Sequence, residues 1–291
     1  MTKPLRILTL LARHGTAKYA DSLPQIKALF ARQMPDVRHS CVVADNSLPP
    51  GHEQLLEDGS RLIGASNEAW EFSAWDSAVA YMSGSLHEFD FIHLATSAFR
   101  QLYVKYLDRF DTRMLALARG RAMAIGHIDY YNESVVLLGR RCQSWLRTSF
   151  VMLPPTEVDL LGSFVSVRDG TNFFSGQPQS PFLELAPISI GYRQNILGWL
   201  TGDGTGQNTE WHSRFKLDDS TLAYFESKAM AIFNEQMLTN RLRTKGCAVV
   251  DATWLATRAK RRFSRQPLVV PDWRVQVSSR DTDAAPQGIL L

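Results

Sequence analysis

The sequence predicts an α/β fold: a mostly parallel central sheet flanked by helices, followed by a less regular second half. Three observations predict it. Apolar runs of strand length occur at RILTLLA, SCVVA and FDFIHLA, helical stretches lie between them, and polar turns follow the strands. Alternation of this kind argues for parallel strands joined by helical crossovers. With 291 residues, 45% of them hydrophobic, the chain can bury a large core as one big domain or two small ones.

The elements follow in order. Ile7 to Ala12 reads as a buried first strand; Arg13 and His14 close it too early for a signal peptide. Leu23, Ile26, Leu29, Phe30 and Met34 recur at helical spacing, with Pro24 in the first turn and Pro35 ending the helix. Ser40 to Ala44 is the second strand, LPPGHEQLLEDGS a loop with some helix, and Arg61 to Gly64 a short third strand. Phe72 to Met82 is helical and Phe91 to Leu94 is the fourth strand. Beyond it, Tyr103 to Arg119 reads as a helix, and Met123 to Ile128 and Val135 to Leu138 as strands. GDGTGQ, from Gly202, lacks the G-K-[ST] of a phosphate-cradling P-loop and is either a surface loop or an active-site lid. Residues after Pro271 read as a polar tail.

Composition bounds the function. A formal net charge of +3 does not argue for a nucleic-acid partner. Cys41, Cys142 and Cys247 are far apart, which speaks against a disulfide framework or a C-x-x-C metal site and points to a reducing cytoplasm.

In open α/β sheets ligands bind at the carboxyl ends of the strands. Here those ends carry Ala12 and Arg13, then Asp45 and Asn46 in VVADNS, then Asn67, and finally Thr96 and Ser97. Two roles are open to Asp45. It can accept hydrogen bonds from a nucleotide, in which case Asp45→Ala leaves the unliganded protein's stability nearly unchanged, or it can organise a turn. Asp76 lies one turn into the following helix, as a helix-surface acid or a partner for a sugar hydroxyl, whereas Phe72 and Trp75 read as core. His93, inside an apolar strand, reads as a buried, satisfied histidine.

The order VVADNS, then IGASNEAWEFSAWDSAVAYM, then a strand closing on Ala95, Thr96 and Ser97 resembles the nucleotide-sugar half of the inverting GT-A glycosyltransferases, the family-2-like enzymes of bacterial surface polysaccharide assembly. The chain departs from that family where its metal-binding carboxylates belong, because Ala95, Thr96 and Ser97 carry none. A second segment, NEQMLTNRLRTKG, resembles the family's acidic pair followed by L-S-x-R-L-x-x-x-G: Leu238, Thr239, Arg241, Leu242 and Gly246 fall in register, and Asn234 replaces the first acid.

The resemblance implies a GT-A-like fold and a nucleoside diphosphate sugar as donor. It places the nucleotide-sugar-binding half at residues 1–100 and the acceptor-binding and catalytic half at 101–270, with 271–291 as tail. Nucleotide-sugar contacts would come from Ala12, Arg13, Asp45, Asn67, Asp76, Thr96 and Ser97, and the catalytic base would be Glu235. The other reading of Glu235 is a helix acid paired with Arg241 or Lys228. Without carboxylates at the metal position, the expectation is no divalent metal, with hydroxyls of Thr96 and Ser97 and cations at Arg13, His14 or Arg100 in its place. Asp90 and Asp129 are the alternative metal ligands.

Arg258, Lys260, Arg261, Arg262 and Arg265 lie beside Trp254, Leu255 and Phe263. That mixture fits either an interfacial helix on anionic lipid or a solvated basic helix end. Membrane contact would suit a lipid-linked acceptor.

Overall fold

The computed structural model describes residues 3–101, 104–202, 215–260 and 268–280. In chain order its elements are β1 (Arg6–Arg13), α1 (Ser22–Gln33), β2 (Arg38–Asp45), β3 (Glu53–Leu55), β4 (Arg61–Gly64), α2 (Trp70–Tyr81), β5 (Phe91–Thr96), α3 (Thr112–Ala118), β6 (Met123–Gly126), β7 (Ile128–Leu137), β8 (Arg140–Leu146), β9 (Phe150–Leu153), α4 (Pro155–Leu161), α5 (Ile190–Thr201), α6 (Leu222–Thr244), β10 (Ala248–Asp251), α7 (Ala252–Lys260) and α8 (Trp273–Ser278). They form two compact units, which interleave in sequence where the expected halves are contiguous. Among the described residues the first takes the chain up to Ile128, Leu146–Phe164 and the stretch from Arg241; the second takes Asp129–Trp145 and Val165–Asn240.

The first unit holds an eight-stranded sheet in the order β10-β6-β9-β5-β1-β2-β4-β3. The pairs β1–β2, β1–β5, β2–β4 and β6–β10 are parallel; β9 runs antiparallel to β5 and β6, and β3 antiparallel to β4. This is the α/β class that the sequence predicts, a mostly parallel central sheet flanked by helices. The inner strands are apolar throughout because helices cover both faces: Ile7, Leu8, Leu10 and Leu11 of β1 are all buried. Trp75 of α2 anchors its helix to the sheet, its indole N–H reaching the Leu10 carbonyl at 3.1 Å and the Ala95 carbonyl at 3.3 Å.

Three expectations about elements are corrected. The 48–60 stretch contributes strand β3 rather than helix; all three β3 residues are exposed, so this edge strand carries no hydrophobic signature. Tyr103 to Arg119 is not one helix, because Asp111 caps a new one, its carboxylate accepting from the Met114 amide at 2.7 Å. The segment after Pro271 begins with α8 rather than a ragged tail. Its buried Gln276 donates to the Val249 carbonyl and accepts from the Asp251 amide, covering the open edge of β10. Arg280 then pairs with the buried Asp251 at 2.6 Å.

In the second unit β7 and β8 form a hairpin, and the 222–240 part of α6 packs Phe225, Ala229, Phe233 and Met237 inward. The glycine-rich GDGTGQ segment lies outside the described residues, except for Gly202, which ends α5 in the left-handed region at φ 77°.

Candidate functional site at the carboxyl edge of the sheet

Parallel pairing brings the expected strand-end residues together. Arg13 is the register partner of Asp45, Ala12 that of Thr96, and Gly64 that of Asp45. The Ser97 amide donates to the Ala12 carbonyl at 2.9 Å and the Asn46 amide to the Arg13 carbonyl at 2.9 Å. Asn67 joins through Asn46, whose side-chain amide donates to the side-chain Oδ1 of Asn67 at 3.1 Å and to the backbone carbonyls of Ser66 and Trp70. Thr96 and Ser97 are half-buried, while Asn67, His14 and Arg100 are exposed.

Asp45 is 2% exposed and carries four hydrogen bonds. Its Oδ2 accepts from Arg13 Nε at 2.7 Å; its Oδ1 accepts from the Gly15 amide at 2.8 Å, the Ser47 amide at 2.9 Å and the Ser47 hydroxyl at 2.7 Å. Burial pushes the carboxyl's pKa up, but the Gly15 and Ser47 donors and the Arg13 guanidinium outweigh it and hold the group below the usual carboxylate range. This geometry is that of the turn-organising reading: Asp45 fixes the turns after β1 and β2 and sets Arg13 at the sheet edge. Gly15 and Ser47, which sequence reasoning missed, are the donors that do this. The one legible signal was Gly15 itself, which adopts φ 64° just past a strand.

Asp76 has a different set of partners. Its carboxylate accepts from the Ser163 hydroxyl at 2.5 Å and the Phe164 amide at 2.6 Å, which ties α2 to the chain after α4. Arg241, on the last turn of α6, feels the Asp76 charge and donates to the Leu161 carbonyl at 2.6 Å.

Glu235 lies on α6 in the second unit, half-buried, and its charge helps raise the pKa of the buried phenols of Tyr131 and Tyr192, after burial itself. Its neighbours are structural. Asn234 accepts from the Ser166 and Val167 amides and donates to the Val167 carbonyl. Gln236 donates to the Tyr131 hydroxyl at 2.6 Å. Leu238 and Leu242 are core, and Gly246, at φ 84°, lies in the turn just after α6, so packing and helix termination account for those positions of the motif.

The alternative metal ligands are not among these strand-end residues. Asp90 lies at the amino end of β5, accepting from the Arg6 amide and from Arg119 Nε, both at 2.8 Å; Asp129 belongs to the second unit. His93 is buried, with Nδ1 bonded to Thr9 Oγ1 at 2.9 Å. The interfacial-helix reading of the basic segment is corrected for α7. Trp254 and Leu255 are buried in the core, leaving Arg258 and Lys260 exposed without an apolar face; Arg261, Arg262, Phe263 and Arg265 lie outside the described residues. No helix among the described residues is long and apolar enough to cross a membrane.

No protein-family model matches the chain, and no curated protein matches it. Among solved structures the chain is similar to the mannosyltransferase PcManGT from Pyrobaculum calidifontis in complex with GDP-Man and Mn2+, at a TM-score of 0.37 and 9% identity, over 91% of this chain and 77% of that one. The expectation of no divalent metal is corrected on this point, since that structure is a complex with GDP-Man and Mn2+. Among the described residues no group of three or more His, Cys, Asp or Glu side chains gathers in one place. Ala95, Thr96 and Ser97 do not supply the carboxylate oxygens a hard divalent cation takes.

Proposed function

We propose that the chain is an inverting glycosyltransferase, moving a sugar from a nucleoside diphosphate donor to a glycan or lipid-linked glycan acceptor in bacterial surface polysaccharide assembly of the O-antigen or capsule type. The observation that carries this reading is the convergence of Ala12, Arg13, Asp45, Thr96 and Ser97 at the carboxyl ends of three adjacent parallel strands, where open α/β sheets bind nucleotides.

In this reading Arg13 and the hydroxyls of Thr96 and Ser97 face the diphosphate. Asp45 and Asn46 hold the two turns that present them, and Asn67 and Asp76 serve the donor side. Glu235 is the general base: the acceptor hydroxyl loses its proton to the carboxylate while its oxygen bonds to the anomeric carbon, and the bond to the diphosphate breaks on the opposite face. One base suffices for inversion.

A thermal-shift panel of nucleoside diphosphates tests the donor site, because a ligand that binds only the folded state raises the melting temperature with its concentration over Kd. A selective rise with one base is the expected result; no response to any nucleoside diphosphate overturns the reading. A second reading, a GT-A-like protein that binds without catalysing, is favoured by the carboxylate-free Ala95, Thr96 and Ser97. Donor turnover by the purified chain decides between them.

A further inference from the structure

Away from the carboxyl edge of the sheet, the first unit carries a cavity of about 320 Å³ in the amino half of β1 and β2. The strand pattern makes it. β4 begins at Arg61, opposite Val42, so the first half of β2, from Arg38 to Cys41, has no β4 residue beside it. Leu8 and Ser40 are register partners there, and with Val42, two residues on, they share one face of the sheet. Tyr81 and Met82 at the end of α2, and Phe89 ahead of β5, line the same cavity.

The charges around the cavity cancel. Lys27 and Asp58 both line it and pair with each other, Nζ to Oδ2 at 2.7 Å. Arg61 lines it 3.6 Å from Glu53, whose Oε1 accepts from the Tyr81 hydroxyl at 2.5 Å. The other titratable side chains of the lining are neutral at pH 7: burial, helped by the Lys27 charge, lowers the His39 pKa to about 4, and burial raises that of the Cys41 thiol to about 12. Hydrogen-bonding capacity nevertheless remains. Among the described residues the Arg61 guanidinium makes no hydrogen bond, since 3.6 Å is an ion pair only. The Ser60 hydroxyl, in a residue 1% exposed, lines the cavity near the Asp58 carboxylate without a hydrogen bond of good geometry.

We propose that this cavity is a carbohydrate site that takes a neutral sugar ring. A sugar hydroxyl both donates and accepts, so one ligand can bond to the Arg61 guanidinium, the Ser40 and Ser60 hydroxyls and the Asp58 carboxylate, while the C–H face of the ring lies on Leu8, Val42, Met82 and Phe89. A net charge fits worse. An anion would meet Asp58 and Glu53, and a cation would meet Lys27 and Arg61. The volume suits the ligand: about 150 Å³ holds a benzene ring, and small-molecule sites with apolar walls and a few polar groups begin at about 300 Å³. Because the cavity lies in the amino half of strands whose carboxyl ends carry Arg13 and Asp45, a sugar bound here leaves the donor edge open. The proposal does not depend on the donor reading.

Saturation-transfer NMR on the full chain tests it, with the methyl glycosides of glucose, galactose, mannose and N-acetylglucosamine as neutral probes and glucuronate and glucosamine as charged ones. At least one neutral glycoside should bind with a millimolar Kd, more tightly than either charged sugar, and saturating nucleoside diphosphate should not displace it. Arg61→Met should weaken that binding by about tenfold or more, the scale of losing a hydrogen bond to a charged group. Ser40→Phe should abolish it by filling the cavity. Because Ser40 and Arg61 are exposed, both variants should keep the wild-type melting temperature and its response to nucleoside diphosphates, which separates failure of this proposal from failure of the donor reading. Undiminished binding in either folded variant overturns the proposal, as does the absence of binding by every neutral glycoside or tighter binding of glucuronate or glucosamine. Displacement by a nucleoside diphosphate also overturns it, because the sugar would then occupy the donor edge.

Discussion

Arg13 Nε donates to Asp45 Oδ2 at 2.7 Å, and the two residues are register partners on adjacent parallel strands, 12% and 2% exposed at their side chains. One ion pair therefore closes the ends of β1 and β2, and the Gly15 and Ser47 donors on the same carboxylate close the turns beyond. This overturns the expectation that Asp45→Ala would spare the unliganded protein. Removing one partner of a buried pair leaves the other uncompensated, at a cost of about 3–5 kcal/mol. Asp45→Ala should lower the stability of the free chain by that order in urea unfolding, and wild-type stability would reduce Asp45 to a peripheral turn residue.

Gly64 ends β4 directly beneath the turn after β2. A Cβ there would lie 1.8 Å from the Pro49 carbonyl oxygen and 2.7 Å from its carbon, both backbone atoms. Rotamer changes cannot relieve such a clash, so the Leu48–Pro49 chain must move. Gly64→Ala should cost at least the roughly 1–3 kcal/mol of ordinary overpacking and weaken nucleoside diphosphate binding along with stability. Gly59→Ala is the control: it has a positive φ but open space around its Cβ position, so its effect should be confined to stability.

Thr9 Oγ1 bridges two histidines, at 2.7 Å from His39 Nε2 and 2.9 Å from His93 Nδ1, and Phe30 stacks on His39 at 3.8 Å. Burial, helped by the Lys27 charge, lowers the His39 pKa from 6.5 to about 4; burial and then His39 lower that of His93. The unfolded chain thus binds more protons than the folded one below its own histidine pKa. The contribution is fully present above about pH 6.5 and is lost as pH falls toward the folded values, with His39 alone worth about 3 kcal/mol across the window. Urea midpoints should drop between about pH 7 and pH 5 at unchanged m-value, and His39→Phe should flatten the drop. Equal midpoints at both pH values would contradict the lowered histidine pKa values.

The sheet was legible because its inner strands are buried on both faces and so appear as unbroken apolar runs, as in Ile7 to Leu11. The carboxyl edge of the sheet was legible for the same reason, since polar residues end those runs. Illegible were the features without a local pattern. β3 is a fully exposed edge strand, and the break at Asp111 depends on a cap that competes with continuing the helix. α8 is held by Gln276 reaching an edge strand some 25 residues back. Trp254 and Leu255 show the converse: an apolar and basic composition is the same whether the apolar side faces lipid or the core, and here it faces the core. The role of Asp45 was half legible, because residue type gives an acceptor but not which donors reach it.

Glu235 carries the mechanistic proposal, and its test is a change of charge without a change of shape. The residue is half-buried on α6 and follows Asn234, whose side chain pins residues 166 and 167 to that helix, so its backbone is firmly placed. Its charge reaches Tyr131 and Tyr192, two phenols whose pKa values are raised well above normal by burial first and by Glu235 among other groups. Glu235→Gln keeps the packing and removes the base. If the carboxylate takes the acceptor proton, kcat should fall by roughly 10²–10⁴ while nucleoside diphosphate affinity stays within about twofold, because the role belongs to the acceptor side. A variant that turns over donor and acceptor normally would return Glu235 to the status of a helix acid. A variant that loses kcat and donor affinity together would place it in donor binding instead. Only the split, kcat lost with affinity kept, is the signature of a general base.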